Sequence, residues 1–292
     1  MNEIIVVIDS LAPSFCYYNS KKNSNYEILE FKKFSKYVDI VVENGYNLTI
    51  CHGAILPCEY EEKIMNLKTL TRIVPNSLFD RYYNNSNVVL SLSVDEIFEV
   101  DKKLVSYDLQ RCVILRYSSA NISQISNSVF QLLRVTKRIC LFCEDSFLEN
   151  KDELNMYKSE LEKISHVLNN EKQIGKLTEI NVITDPWFCE TSQYCLAGNE
   201  SITIMFNSKA YICPAFFYDD ANNYINLDDI QYINELQILC SEEKQFACLE
   251  CKNIQCKRCK FISKKKTEEL NIPPYELCAQ SMLEYNISQL LK

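Results

Sequence analysis

Glycine is scarce, with four residues in 292. No glycine-rich phosphate loop can be assembled from so few, and neither G-x-G-x-x-G nor a Walker A run occurs. Histidine is scarcer still, at two residues, His52 and His166. His166 falls in a long polar helical stretch and reads as a solvated surface residue. His52 follows a strand end, where parallel α/β folds place ligand sites, yet a lone histidine there reads first as structural. Nothing pairs it with a nucleophile as a Ser/His/Asp triad would. Basic charge is also in deficit: a net charge of −8 argues against a general nucleic-acid binder, which is normally basic. Long apolar runs are missing too. The opening MNEIIVVIDS carries an apolar run of about five residues, against the roughly seven to fifteen of a signal peptide. No uninterrupted apolar stretch approaches the roughly 20 residues of a transmembrane helix. The expectation is a cytoplasmic chain with no membrane and no nucleic acid among its partners.

Cysteine, by contrast, is abundant, with fifteen copies. Cytoplasmic thiols stay reduced, so such a number calls for metal rather than disulfides. The competing reading is of small buried hydrophobes, and it serves for the cysteines in the first half of the chain. The remaining composition is that of an ordinary soluble protein, 47% apolar and 24% charged. Its length allows one large core, or one core plus a small satellite.

Short apolar runs at residues 3–8, 47–51, 87–92, 112–117, 138–143 and 180–184 read as buried strands. Helical spacing separates them over 28–45, 59–70, 94–105, 122–136 and 147–172. Thr71–Val74 is either an extra short strand or the end of a turn. Six strands alternating with helices predict an α/β fold with parallel pairing through helical crossovers, as an open doubly wound sheet or a partial barrel. After Asp185-Pro186 the texture changes. SITIMF at Ser201–Phe206, a turn at Asn207-Ser208 and KAYIC at Lys209–Cys213 predict a β-hairpin. The chain thus divides into residues 1–185 and 186–292.

The second part carries Cys189-x5-Cys195, Cys213, Cys248-x2-Cys251-x4-Cys256-x2-Cys259 and Cys278. A C-x2-C pair lets two thiolates converge on one metal centre from a tight turn. Four thiolates are what a tetrahedral zinc or a [4Fe–4S] cluster requires, so eight ligands make two sites. Four cysteines within the twelve residues from Cys248 to Cys259 are no chance scatter, and the spacing reads as a metal-site pattern. Softness and S4 geometry admit iron–sulfur and zinc alike. Cys240 lies near enough in sequence to stand in for one ligand. Cys140 and Cys143 form a superficial C-x2-C, but residues three apart on a strand point to opposite faces, and Ile139, Leu141 and Phe142 mark that segment as core.

The order C-x5-C-x12-S-x4-C, then C-x2-C-x4-C-x2-C, then a last cysteine resembles the SPASM domain of radical SAM peptide-modifying enzymes. That domain has C-x2-C-x5-C-x3-C, so two inner spacings here are each one residue shorter, and Ser208 stands where its hairpin has glycine. The resemblance implies interleaved ligands. Cys189, Cys195, Cys213 and Cys259 would hold one [4Fe–4S] cluster, and Cys248, Cys251, Cys256 and Cys278 a second. The runs AYICPAFFYDD, CLECKNIQCKRCKFISKKKTEELNIPPYELC and IIVVIDSLAPSFCYY are further similar to the CXXX-repeat peptide maturase family, most strongly over residues 200–290. This implies a six-unit (β/α) partial barrel of radical SAM type with a small SPASM-like domain. It also implies two partners, a radical SAM peptide maturase and a ribosomally made cysteine-repeat precursor peptide.

A radical SAM enzyme carries C-x3-C-x2-C in the loop after its first strand, leaving one iron open for S-adenosylmethionine. Here that loop, Asp9–Ser20, holds Cys16 as its one cysteine. The family's Gly-Gly-Glu-Pro run after the second strand is replaced by Cys51-His52-Gly53-Ala54. Both departures imply a chain without AdoMet chemistry of its own: an accessory protein of peptide maturation, an electron-relay subunit, or, with zinc instead of clusters, a peptide-binding scaffold. The basic stretch Lys257, Arg258, Lys260, Lys264, Lys265 and Lys266 reads as charge compensation for an anionic cluster, with partner docking second. Tyr211, Phe216, Phe217 and Tyr218, flanking Cys213, are expected to shield a cluster from solvent.

Overall fold

Alternating apolar runs and amphipathic helices build a mixed α/β fold on a nine-stranded, mostly parallel sheet in the computed structural model. It describes residues 1–20, 25–82, 87–97, 109–133, 135–173, 178–188, 195–227, 230–248, 250, 251, 253, 256 and 258–291. In chain order the strands are β1 (Glu3–Val7), β2 (Asn47–Cys51), β3 (Leu70–Pro75), β4 (Val88–Ser93), β5 (Leu109–Tyr117), β6 (Thr136–Cys143), β7 (Glu179–Ile180), β8 (Ser201–Ile204) and β9 (Ala210–Tyr211). Two compact units result, one of Met1–Ser14, Tyr18–Val89 and Leu196–Phe246, the other of Phe15–Tyr17, Leu90–Cys195 and Ala247–Lys292. Among the described residues, no helix is long and apolar enough to cross a membrane.

In the first unit the strands run β3-β2-β1-β8-β9, parallel except for the β8–β9 hairpin. The crossover from β1 to β2 is the helix Phe31–Asn44, which buries Phe34, Val38 and Val41 along one stripe. Gly45 ends it at φ 67°, its N–H returning to the Val41 and Val42 carbonyls. Glycine enters that left-handed region without a Cβ clash. The Thr71–Val74 segment is part of a full strand, β3. Its apolar run is broken by Arg72, yet Arg72 is buried because its guanidinium pairs with Glu61 at 2.9 and 2.6 Å.

β8 lies parallel to β1, with Ile4 opposite Ile202 and Val6 opposite Ile204. All four β8 residues are buried, as a strand inside a sheet requires. The hairpin turn puts Ser208 at φ 68°, with its N–H on the Met205 carbonyl at 2.8 Å. A side chain in that region costs roughly 1 kcal/mol. Ser208→Gly is therefore expected to stabilise the chain by up to about 1 kcal/mol, read as a higher urea midpoint at unchanged m-value.

The second unit orders its strands β7-β6-β5-β4, all parallel. On β5 and β6, Val113, Leu115, Tyr117, Ile139, Leu141 and Cys143 are buried, while Cys112, Arg116, Arg138, Cys140 and Phe142 alternate with them and are half-buried. Strand side chains alternate faces, so the buried set is the helix-facing one: Tyr117 stacks on Tyr157 of the helix Lys151–Gln173 with ring centres 5.4 Å apart. That helix buries Tyr157, Leu161, Ile164 and Leu168 at helical spacing. It is tied to the helix Tyr275–Ser288 by a Tyr157–Glu284 hydrogen bond of 2.9 Å.

The strand expected at 180–184 stops after Ile180 and turns. Asn181 takes over the pairing with its side chain, accepting from the Leu141 N–H at 2.8 Å and donating to the Leu141 carbonyl at 3.2 Å. Thr184 closes the turn onto both backbone groups of Ile180. Of the helix expected at 94–105, Val94–Glu96 forms a 3-10 turn capped by Ser93, and residues 98–105 lie outside the described residues.

Candidate metal centre

Tight turns present the C-terminal cysteines. Cys248 ends a 3-10 turn at Phe246–Cys248, and the Cys251 N–H folds back onto its carbonyl at 3.1 Å. The Cys256 N–H does the same to Asn253 at 3.3 Å. Cys278 stands in the first turn of the helix Tyr275–Ser288, where Ser281, one turn on, accepts the Cys256 thiol at 3.3 Å and, through its carbonyl, the Asn253 side-chain amide at 2.8 Å. The electrostatics report which sulfurs are neighbours. Cys278 is pushed up to about 11 by partial burial and then by the charges of Cys256, Cys248 and Cys251. Cys248 is raised by burial and by Cys256 and Cys251, against the opposing pull of Arg258. Cys248 and Cys278 are thus both raised by the charges of Cys251 and Cys256, a repulsion between sulfurs that a bound cation would relieve. Among the described residues, no three His, Cys, Asp or Glu side chains close on a single metal position.

A second pairing joins Cys195 and Cys259. Burial, followed by the Cys195 charge, pushes Cys259 up to about 12, opposed by the N–H groups of Ile262 and Phe261 and by Lys260. Those amides are the first turn of the helix Lys260–Thr267, whose N-terminus favours a negative sulfur. Lys260 is fully buried and donates to the Cys195 carbonyl at 2.8 Å. Cys189 lies outside the described residues, as does Lys257. Cys213 belongs to the first unit, where it precedes the helix Pro214–Asp219. The basic stretch divides: Arg258 and Lys260 are buried in the cysteine segment, while Lys264, Lys265 and Lys266 are exposed on the helix's last turn. Phe217 makes edge contacts with Phe206, Tyr211 and Tyr218, so the aromatics beside Cys213 pack into one cluster. Cys240, fully buried, packs where a Cβ on Gly198 would come within 2.6 Å of its sulfur.

The ends of β1 and β2 are stapled together. Asp9, wholly buried, accepts hydrogen bonds from the N–H groups of Leu11, Gly53 and Ala54 at 2.9–3.1 Å. Burial raises its pKa and these bonds oppose that rise. Gly53 approaches so closely that a Cβ there would lie 1.9 Å from the Leu11 carbonyl oxygen. His52 beside it is structural, as its lone position suggested. Its Nδ1–H donates to the Ala54 carbonyl at 2.8 Å, and its Nε2 accepts from Arg72 at 3.1 Å. Burial, then the Arg72 charge, lowers its pKa to about 4.

Sequence reasoning missed one pair of sulfurs. Cys112 on β5 and Cys140 on β6 lie 3.6 Å apart, so two of the cysteines taken as separate buried hydrophobes are half-exposed neighbours. Spacing along the chain cannot signal such a pair, because strand register creates it.

Three solved structures are similar to the chain along its whole length. A hexahistidine-tagged anSMEcpe with bound AdoMet superposes with a TM-score of 0.65 at 10% identity, covering 100% of this chain and 94% of that one. Native anSMEcpe with bound AdoMet and Cp18Cys peptide gives 0.65 at 11% identity, covering 100% and 98%. The form with Kp18Cys peptide gives 0.64 at 12%, covering 99% and 98%. The fold is radical-SAM-like. No family model and no curated protein matches the chain. Within this radical-SAM-like frame, Asp9 and Gly53 occupy the loops that follow the first two parallel strands, and the cysteine-bearing turns come from the last third of the chain.

Proposed function

We propose that this chain is an accessory protein in the maturation of a ribosomally made cysteine-repeat peptide. It binds the peptide, a radical SAM partner enzyme, or both, and does not itself cleave S-adenosylmethionine. One observation carries the reading: Cys248 and Cys278 both feel the charges of Cys251 and Cys256 in a radical-SAM-like chain whose first-strand loop holds one cysteine. The full-length likeness to anSMEcpe, whose structures hold a peptide, supports peptide binding by this chain. Cys189, Cys195, Cys213 and Cys259 would hold one [4Fe–4S] cluster, and Cys248, Cys251, Cys256 and Cys278 the other. When bound, such clusters supply a one-electron redox centre whose potential is set by charge, hydrogen bonds and solvent exposure. The protein's own residues set those surroundings. Arg258 and Lys260 place positive charge among the thiolates, and Ser281 orients the Cys256 sulfur. Zinc is the alternative occupant of the same thiolates; the chain would then be a redox-inert scaffold.

Two measurements on the isolated, anaerobically reconstituted chain test this. Incubated with reductant and S-adenosylmethionine, it is expected to form no 5′-deoxyadenosine, while binding a fluorescent cysteine-repeat peptide saturably. Formation of 5′-deoxyadenosine would overturn the accessory role. Failure to bind either the peptide or a radical SAM maturase would remove the reading altogether.

A further inference from the structure

We propose that Cys112 and Cys140 form a thiol–disulfide exchange site for a low-molecular-weight disulfide, with Cys140 as the attacking sulfur and Cys112 as the resolving one. The site lies wholly in the second unit, away from the C-terminal cysteines in sequence, and stands independently of the maturation role. Its geometry comes from strand register. Cys112 is opposite Arg138, and Ile114 is opposite Cys140, so the two cysteines are diagonal neighbours on one face of adjacent parallel strands. The face is the half-buried one, not the helix-packed one, and neither cysteine is fully buried. At 3.6 Å the sulfurs share a thiol hydrogen bond.

Arg138 places its positive charge beside the pair. Its guanidinium is fixed by Asp185 at 2.8 Å and Glu179 at 2.6 Å. The Cys112 thiol and then Arg138 hold Cys140 toward the thiolate, while Cys112 is driven the other way. Thiolate character together with access is what makes a cysteine reactive. Cys143, three residues on, shows the contrast: it is buried on the helix-packed face and pushed up to about 12 by desolvation.

The exchange balances without any further reagent. The Cys140 thiolate attacks one sulfur of the disulfide, forming a mixed disulfide and expelling one thiolate. Cys112 then gives its proton to that leaving thiolate and attacks the Cys140 sulfur, releasing the second thiol. Two protein thiols are oxidised to one disulfide, and the incoming disulfide is reduced to two thiols. Closure brings the sulfurs from 3.6 Å to about 2.05 Å; because diagonal neighbours stand farther apart than directly opposite residues, it requires the two strands to shift toward each other.

Glutathione disulfide added to the full anaerobic chain, with quenching by acid alkylation and peptide mapping by mass spectrometry, tests the proposal. The wild type is expected to accumulate a Cys112–Cys140 cross-link. Cys112→Ser should trap glutathione on Cys140 at least tenfold faster than on exposed Cys58 at pH 7, and Cys140→Ser should do neither. Arg138→Gln keeps both sulfurs, so it reads the site even where a cysteine variant folds poorly; its cross-linking rate should fall several-fold and its pH profile move to higher pH. A wild type without the cross-link, a Cys112→Ser protein labelled no faster at Cys140 than at Cys58, or an unchanged Arg138→Gln profile would each overturn it.

Discussion

Cys278→Ser is expected to lose half of the protein's iron, falling from about eight to about four irons per chain if each thiolate set carries one [4Fe–4S] cluster. The argument rests on position. Cys278 comes from a helix that begins sixteen residues after Cys259, yet its thiol is raised by the charges of Cys248, Cys251 and Cys256. A hydroxyl in its place leaves three sulfurs and no fourth soft ligand for the centre. Cys195 and Cys259 form a separate pairing, so the other cluster should survive. Iron and sulfide assays, with the absorbance near 400 nm, which is roughly where such clusters absorb, give the count. Cys240→Ser is the control, because that buried sulfur packs against Gly198 and its loss should cost stability without costing iron. If Cys278→Ser keeps its full iron content, the assignment of that sulfur fails. A parent protein with stoichiometric zinc and no sulfide selects the scaffold reading instead.

Arg72→Ala is expected to destabilise the chain by about 3 kcal/mol, the low end of the cost of breaking a buried ion pair, because Arg72 is buried while Glu61 is half-buried. The guanidinium meets Glu61 in two parallel contacts, lies 4.3 Å from the centre of the Tyr82 ring and donates to His52. Tyr82 donates to the same Glu61 carboxylate at 2.7 Å. Removing the arginine leaves the half-buried Glu61 carboxylate with the Tyr82 hydroxyl alone of these donors, and the buried His52 Nε2 without the Arg72 donor. The pH dependence should change as well. In the parent, His52 titrates near 4, below the usual 6.5. The unfolded chain therefore takes up the proton first as pH falls. The contribution of His52 is complete above 6.5 and is lost between 6.5 and 4, by an amount on the order of 3 kcal/mol. Glu61, held below its ordinary 4.5 despite burial, by its bonds to Arg72 and Tyr82, adds a further loss only below that value. Without Arg72, the Glu61 charge is left facing His52 and raises its pKa, so the decline between 6.5 and 4 should flatten. Urea unfolding of both proteins at pH 7.5 and 5 measures the two effects together. Equal pH slopes would remove Arg72 from the account of His52.

Strands announced by short, mostly apolar runs, such as Ile4–Val7 and Leu48–Cys51, were legible because a strand inside a sheet buries residues of both faces. β3 was ambiguous because Arg72 interrupts it, and no local pattern tells that Glu61, eleven residues earlier, will neutralise it. The sixth expected strand was cut short by Asn181, whose amide imitates the backbone pairing that the hydropathy of 180–184 promised directly. The cysteine-rich segment offers a metal-site pattern because its spacing is local, and the grouping of Cys278 with Cys248, Cys251 and Cys256 came from a family resemblance. Cys112 and Cys140 were missed for the converse reason, being 28 residues apart and joined purely by the offset between β5 and β6. Asp9 was passed over as one acid among many, although its three backbone partners make it a fixed point of the first unit.

That fixed point bears on how such a chain could change its trade. Adding two cysteines beside Cys16 in Asp9–Ser20 would complete a three-cysteine motif without making room, because the start of that loop is drawn onto Gly53 and Ala54 by Asp9, and Gly53 leaves no space even for a methyl group before Leu11. An engineer, or natural selection, would first have to release the carboxylate and lengthen the span between the two strand ends. The order of changes matters. Ligands installed before release would sit on a loop already committed elsewhere, so a cluster there takes more changes than a count of sulfurs suggests.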